Sequence, residues 1–201
     1  MTDSVIDRHN TIDERPNGML LVPKRIFFTR GVGYHKDRLG SFEMALREAG
    51  IEICNLVSVS SILPPRCTAI AREEGIRELR SIAGAITFCV LARNESNEPH
   101  RMISAAIGVA QPQDSNLYGY LSEHHPCGET EQEAGDYAED LAAEMFASSL
   151  GMEIDVDKAY LEDEDLWQIG PQRVRTSHTA VAASPNKGSW CSVVAAGVFL
   201  F

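Results

Sequence analysis

The stretch Val59-Ser60-Ser61-Ile62-Leu63-Pro64-Pro65 sets two hydroxyl side chains next to each other at the end of a β-rich run. The Ser61 hydroxyl can attack the carbonyl of Ser60 and convert the amide between them to an ester. β-Elimination then leaves dehydroalanine at position 61, and its hydrolysis with loss of ammonia gives a pyruvoyl group. The products are two chains, 1–60 and 61–201, with a ketone at the head of the second. A bare Ser-Ser pair does not demand this, because most such pairs are turn or capping residues. The ketone's chemistry is narrower: it takes up an amine, and it receives the electrons released when an adjacent carboxylate leaves as CO2. No segment of the chain has the pattern of a pyridoxal phosphate site, the other common means to that end.

Such a reaction also needs an acid beside the carbon that loses CO2. Glu123 closes the apolar run Asn116-Leu117-Tyr118-Gly119-Tyr120-Leu121-Ser122-Glu123, and an apolar setting would raise its pKa and keep it protonated near neutral pH. The alternative is a surface carboxylate at a strand end. His124 and His125 compete with it on spacing alone.

The elements that must position these residues can be read from periodicity. Arg25-Ile26-Phe27-Phe28-Thr29 predicts a strand ending at Gly31-Val32-Gly33. Those two glycines lack the third glycine and the immediate helix of a dinucleotide fingerprint. Leu39, Phe42, Ala45, Leu46 and Ala49 recur at helical spacing before Gly50, so residues 37–49 read as an amphipathic helix with Glu43 near the edge of its apolar stripe. Residues 53–62 read as one strand, which Pro64-Pro65 terminates. Residues 85–91 and 102–109 are expected to pair as antiparallel strands across the polar loop 94–99, and 116–123 forms a third strand.

Ala134, Tyr137, Ala138, Leu141, Ala142 and Met145 then mark one face of the longest helix, opposite Glu133, Asp136, Asp140 and Glu144, with Gly151 as its stop. The acidic segment 160–166 reads as a solvated loop, because no fixed ligand spacing supports a metal site. Residues 173–201 are expected to close the chain as a hairpin, whose last strand has small residues on both faces and suits burial between layers. The pattern is α/β with mainly antiparallel sheet and helices outside.

Composition bounds the function. At 201 residues the chain fits a single domain, 23–201, behind a polar extension, 1–22, that is expected to be mobile. A net charge of −11 disfavours nucleic acid and anionic membranes as partners and mildly favours a cationic substrate. No apolar run approaches the roughly 20 residues of a membrane helix, and the N-terminus lacks the pattern of a secretory signal, so the expected compartment is the cytoplasm. Five cysteines without Cys-x-x-Cys spacing read as reduced thiols.

Asn55-Leu56-Val57-Ser58-Val59-Ser60-Ser61-Ile62-Leu63-Pro64-Pro65 resembles the processing segment of the pyruvoyl-dependent arginine decarboxylases. Phe42 to Ile51, Ile103 to Ala110, Gly119 to Glu123 and Cys191 to Ala196 resemble family segments in the same order, so the likeness covers roughly residues 24–201. It implies a four-layer αββα sandwich and the decarboxylation of L-arginine to agmatine and CO2, with Ser61 as pyruvoyl precursor and Ser60 as cleavage partner. No pyridoxal phosphate or metal is required. Glu123 matches the family's proton donor, Asn55 falls in the active site, and Glu43 falls where the guanidinium partner lies. The family members compared have aspartate there, so lysine or ornithine stays open as substrate. The assembly implied is a trimer of cleaved protomers, or a pair of trimers, with sites at subunit interfaces. An uncleaved, non-catalytic trimeric scaffold is the rival from another class. Polyamine synthesis and acid resistance would both use the same reaction.

Overall fold

The computed structural model describes residues 21–161, 164 and 166–201. Residues 1–20 of the expected extension, and 162, 163 and 165 of the acidic segment, lie outside the described residues.

In chain order the elements are β1 (Arg25–His35), α1 (Arg38–Ala49), β2 (Asn55–Ser58), β3 (Ile62–Leu63), β4 (Thr68–Ala69), α2 (Arg72–Ser81), β5 (Ile86–Ser96) and β6 (Ile103–Pro112). They continue with β7 (Gly119–His124), α3 (Glu131–Ser149), α4 (Val156–Ala159), β8 (Tyr160–Leu161), β9 (Leu166–Ile169), β10 (Gln172–Ala183) and β11 (Trp190–Leu200). The first sheet has the order β2-β5-β11-β1-β4 and the second β3-β7-β6-β10-β9-β8. β1 pairs antiparallel with β11 along its whole length, from Arg25 opposite Leu200 to His35 opposite Trp190.

Strand alternation builds the layers. On β5, Val90 and Ala92 face the second sheet, while Cys89 and Leu91 pack with Phe27, Ala45, Ala49 and Leu79 under α1 and α2. On β6, Ala105, Ile107 and Val109 face the first sheet, and Ala106 and Ala110 face α3. The result is the four-layer αββα sandwich with mainly antiparallel sheets that the resemblance implies.

Several local expectations are corrected. Residues 53–62 are not one strand, because β2 stops at Ser58 in the first sheet and β3 starts at Ile62 in the second. β5 and β6 do not pair with each other, and neither do β10 and β11, since each couple is divided between the two sheets. Adjacency in sequence suggested hairpins, but strands with two apolar faces can be joined by a loop that crosses the roughly 10 Å between packed sheets. The double-sided burial expected for the last strand holds, with Cys191 to Leu200 all buried.

β1 also runs past its expected end, so Gly31 and Gly33 lie within it, beneath α1. A Cβ at Gly33 would stand 1.9 Å from the Ser41 carbonyl oxygen and 2.3 Å from the Ala45 nitrogen. The glycines therefore let the helix seat directly on the strand, on Ser41, Ala45 and Ala49, and Leu39 at the head of the expected stripe is 76% exposed. Small residues define the seam of α3 likewise: Ala134, Ala138, Ala142 and Ala143 are buried and Tyr137 is exposed. Helix α2 was not anticipated, since its charged sequence buries only Gly75, Ile76 and Leu79.

Candidate active site

The Ser60–Ser61 bond lies where the chain crosses from one sheet to the other. On the upstream side, Val59 N–H donates to the Cys89 carbonyl at 3.0 Å, extending β2 by one residue along β5. On the downstream side, the Ser61 carbonyl accepts from Leu121 N–H at 2.7 Å, extending β3 by one residue along β7. Ser60 is exposed and Ser61 half-buried. Between the two anchors, the Ser60 carbonyl accepts from Ile62 N–H at 3.0 Å, a three-residue turn with Ser61 at its centre. Pro64 and Pro65 then limit β3 to two residues, since proline cannot donate to a ladder.

A cavity of about 380 Å³ opens beside this crossing, walled by Val59, Ser60, Ile62, Phe88, Phe199 and Phe201 among others. Its described lining carries no charged side chain.

Glu123 approaches from β7. It stands opposite Ile107, and alternation puts it on the face of Leu121, which packs between the sheets. Burial raises its pKa above the ordinary carboxylate value, and the nearby His125 pulls in the opposite direction. Its charge also reaches Cys89, whose thiol burial pushes up to about 11. Glu123 is thus two residues from the Leu121 amide that holds Ser61, and close to the residue whose carbonyl holds Val59. His124 faces the other way: its Nε2 lies 2.9 Å from Glu129 and its ring packs against Tyr137.

The other two expected site residues lie elsewhere in the chain. Asn55 opens β2, about 16 Å of strand away from Ser60, and its Nδ2 donates to the Gly84 carbonyl at 2.8 Å. Glu43 is on α1, on the outer side of the first sheet, paired with Arg47 at 2.5 Å.

One residue near the site escaped notice. Asn94, expected in a loop, belongs to β5, and its Nδ2 donates to the carbonyls of His125 and Pro126 at 3.0 and 2.7 Å. It fixes the chain just beyond Glu123. Its neighbours Arg93, Glu95 and Ser96 are polar too, so no signal in the sequence set Asn94 apart.

A serine pair stretched between two sheets, beside a cavity and an acid of raised pKa, is the constellation that a carbonyl group derived from the chain itself would need. The family model described as pyruvoyl-dependent arginine decarboxylase matches residues 25–201, and the chain belongs to that family of carboxy-lyases. It is 50% identical over 182 residues, 90% of this chain and 99% of the relative, to a protein of Chlorobaculum tepidum named probable pyruvoyl-dependent arginine decarboxylase. A protein of Chloroherpeton thalassium with the same name is 51% identical over 183 residues, 90% of this chain and all of the relative. Pyruvoyl-dependent arginine decarboxylase 2 of Methanosarcina acetivorans is 52% identical over 181 residues, 90% of this chain and 98% of the relative. The residues around Ser61 fit the covalent pyruvoyl group that the family name states: the position is half-buried, its carbonyl is held, and space adjoins it.

Proposed function

We propose that the chain breaks its own Ser60–Ser61 bond and, with the pyruvoyl group so formed at position 61, decarboxylates L-arginine to agmatine and CO2. The observation that carries this reading is the crossing itself, where both flanks of one Ser-Ser bond are tied to different sheets and the bond faces a cavity. The bound group supplies a carbonyl that takes up the substrate amine and accepts the electrons left by CO2.

The chain's own residues supply the rest. Glu123, whose pKa burial raises above the ordinary carboxylate value, is the acid placed to deliver the proton to the α-carbon. Glu43 offers a carboxylate that a guanidinium can bind through paired hydrogen bonds. The cavity beside Ser60 has no acid in its described lining, and Glu43 and Asn55 lie away from the bond in their own protomer. That separation supports a site completed by neighbouring copies, in a trimer of cleaved protomers or a pair of trimers. Residues 23–201 act as one domain, cleaved into 1–60 and 61–201, with 1–22 as an extension. No helix among the described residues is long and apolar enough to cross a membrane, and we assign the enzyme to the cytoplasm.

Intact-mass analysis of the purified protein, followed by incubation with arginine, lysine and ornithine, tests the reading. Two fragments divided between Ser60 and Ser61, with agmatine formed from arginine, are expected. Cleavage with product only from lysine or ornithine would move the substrate and implicate the longer side chain of Glu43. A single inert chain would leave the scaffold. Ser61→Ala is expected to abolish both cleavage and turnover.

A further inference from the structure

We infer that the main-chain N–H of Ile62 is the oxyanion donor for self-cleavage. The inference rests on the assignment of the break to Ser60–Ser61 and adds the group that stabilises its transition state. The Ile62 amide lies 3.0 Å from the Ser60 carbonyl oxygen, the atom on which negative charge develops when Ser61 attacks.

The geometry follows from where β3 begins. Leu121 N–H bonds to the Ser61 carbonyl, so Ser61 and Leu121 form a hydrogen-bonded pair of the antiparallel ladder. Ile62, opposite Tyr120, is therefore at a position whose N–H points away from β7. β3 is an edge strand, with no neighbour on that side among the described residues. The amide is free to fold back over one residue, and the Ser60 carbonyl receives it. Ser61, at the centre, is not among the residues with positive φ, so the turn is the unstrained inverse kind. The side-chain amide of Asn55, which could also donate to an oxyanion, is bonded to Gly84 at the far end of β2.

The step then balances as follows. The Ser61 Oγ–H gives up its proton as Oγ bonds to the Ser60 carbonyl carbon, and the carbonyl π pair moves onto oxygen, facing Ile62 N–H. Collapse restores the carbonyl and breaks the C–N bond, and the leaving Ser61 nitrogen takes a proton equivalent to the one released. An ester joins Ser60 to Oγ. Loss of the Ser61 α-proton with rupture of the Cβ–O bond frees chain 1–60 with a carboxylate end. The dehydroalanine left at position 61 takes up water and releases ammonia. Throughout, Leu121 N–H keeps Ser61 C=O in place, so the segment does not drift as its neighbouring bond opens.

The test replaces Ile62 in the full chain by its α-hydroxy analogue, exchanging the N–H for an ester oxygen while keeping the side chain. No ladder bond is lost. Self-cleavage between 60 and 61, followed by intact mass, is expected to slow about 10²–10³-fold, the usual effect of removing one oxyanion donor. Ile62→Ala, which keeps the N–H, should cleave at nearly the unmodified rate. Hydrolysis of the introduced ester would part 61 from 62 and differs by one residue in mass. Cleavage of the α-hydroxy variant at the unmodified rate overturns the proposal. Independently, the Ile62 amide of the uncleaved Ser61→Ala chain should be protected from hydrogen exchange, and exchange at the free-chain rate would also overturn it. An unmodified chain that never breaks at 60–61 would instead remove the assignment on which the inference rests.

Discussion

Asn94 and Pro126 are joined by a 2.7 Å hydrogen bond from side-chain amide to main-chain carbonyl, which ties the first sheet to the loop that follows Glu123. The same Nδ2 reaches His125, and Oδ1 accepts from Glu95 N–H at 2.8 Å, so the amide is fully used. The segment that follows Glu123 is therefore held from the opposite sheet.

Asn94→Ala should release that loop. Two hydrogen bonds at about 1 kcal/mol each set the stability loss near 2 kcal/mol. Agmatine formation should fall several-fold while cleavage at Ser60–Ser61 proceeds, which parallel gel and product assays would separate. Unaltered turnover would show that the loop holds itself.

Glu123→Gln should leave processing largely intact and cut turnover by about 10²-fold or more. The raised pKa also has a sign for stability. Between its unfolded and folded pKa, Glu123 binds more protons in the folded chain, so stability declines as pH rises through that window. Glutamine cannot ionise, so the variant should be the more stable protein at neutral pH, and the difference should vanish in acid. Urea titrations at two pH values would measure it.

Glu95 has the opposite sign. Its burial alone would raise the pKa, but hydrogen bonds from Arg93 and Arg38 outweigh this and hold the carboxyl below its ordinary value. Its side chain is 5% exposed, and Arg93, which it anchors, stacks 3.4 Å over the ring of Phe42 on α1. The stability from this ionised group is present above the unfolded pKa and lost as pH falls through the lower folded one. Glu95→Gln should cost about 1–3 kcal/mol at pH 7 and progressively less below pH ~4, measured by thermal melts across pH.

Gly33→Ala tests the seat of α1. With the Ser41 carbonyl oxygen 1.9 Å from the added Cβ, the helix must lift, and overpacking of this kind costs about 1–3 kcal/mol or more. A lower denaturation midpoint is expected, whereas an unchanged one would mean that α1 tolerates displacement.

Local pattern carried much of this molecule. The apolar period located α1 and α3, the Gly50 stop is a left-handed cap with φ of 76°, and the two apolar faces of β11 were legible as burial between layers. Strand partners were not legible, because neighbours in sequence suggest hairpins while β5 and β6, and β10 and β11, are each divided between the two sheets. The Ser-Ser pair and Glu123 could be singled out because their side-chain types suit the proposed chemistry. The Ile62 and Leu121 amides could not, since every residue but proline has one and only the fold decides where it points.

The full-length pairing of β1 with β11 has a thermodynamic consequence. Under the proposed break at Ser60–Ser61, β1 would fall in one product and β11 in the other, so the central ladder of the first sheet would become a contact between separate molecules. Before the break, folding is unimolecular and indifferent to dilution. Afterwards the same contacts depend on protein concentration, and the chain entropy that the severed bond had suppressed returns on unfolding. A cleaved chain that came apart could not remake the peptide, so its persistence would be set by how slowly β1 leaves β11. The proposed maturation would thus work as a one-way ratchet: the precursor finds the fold, and the product can only keep it.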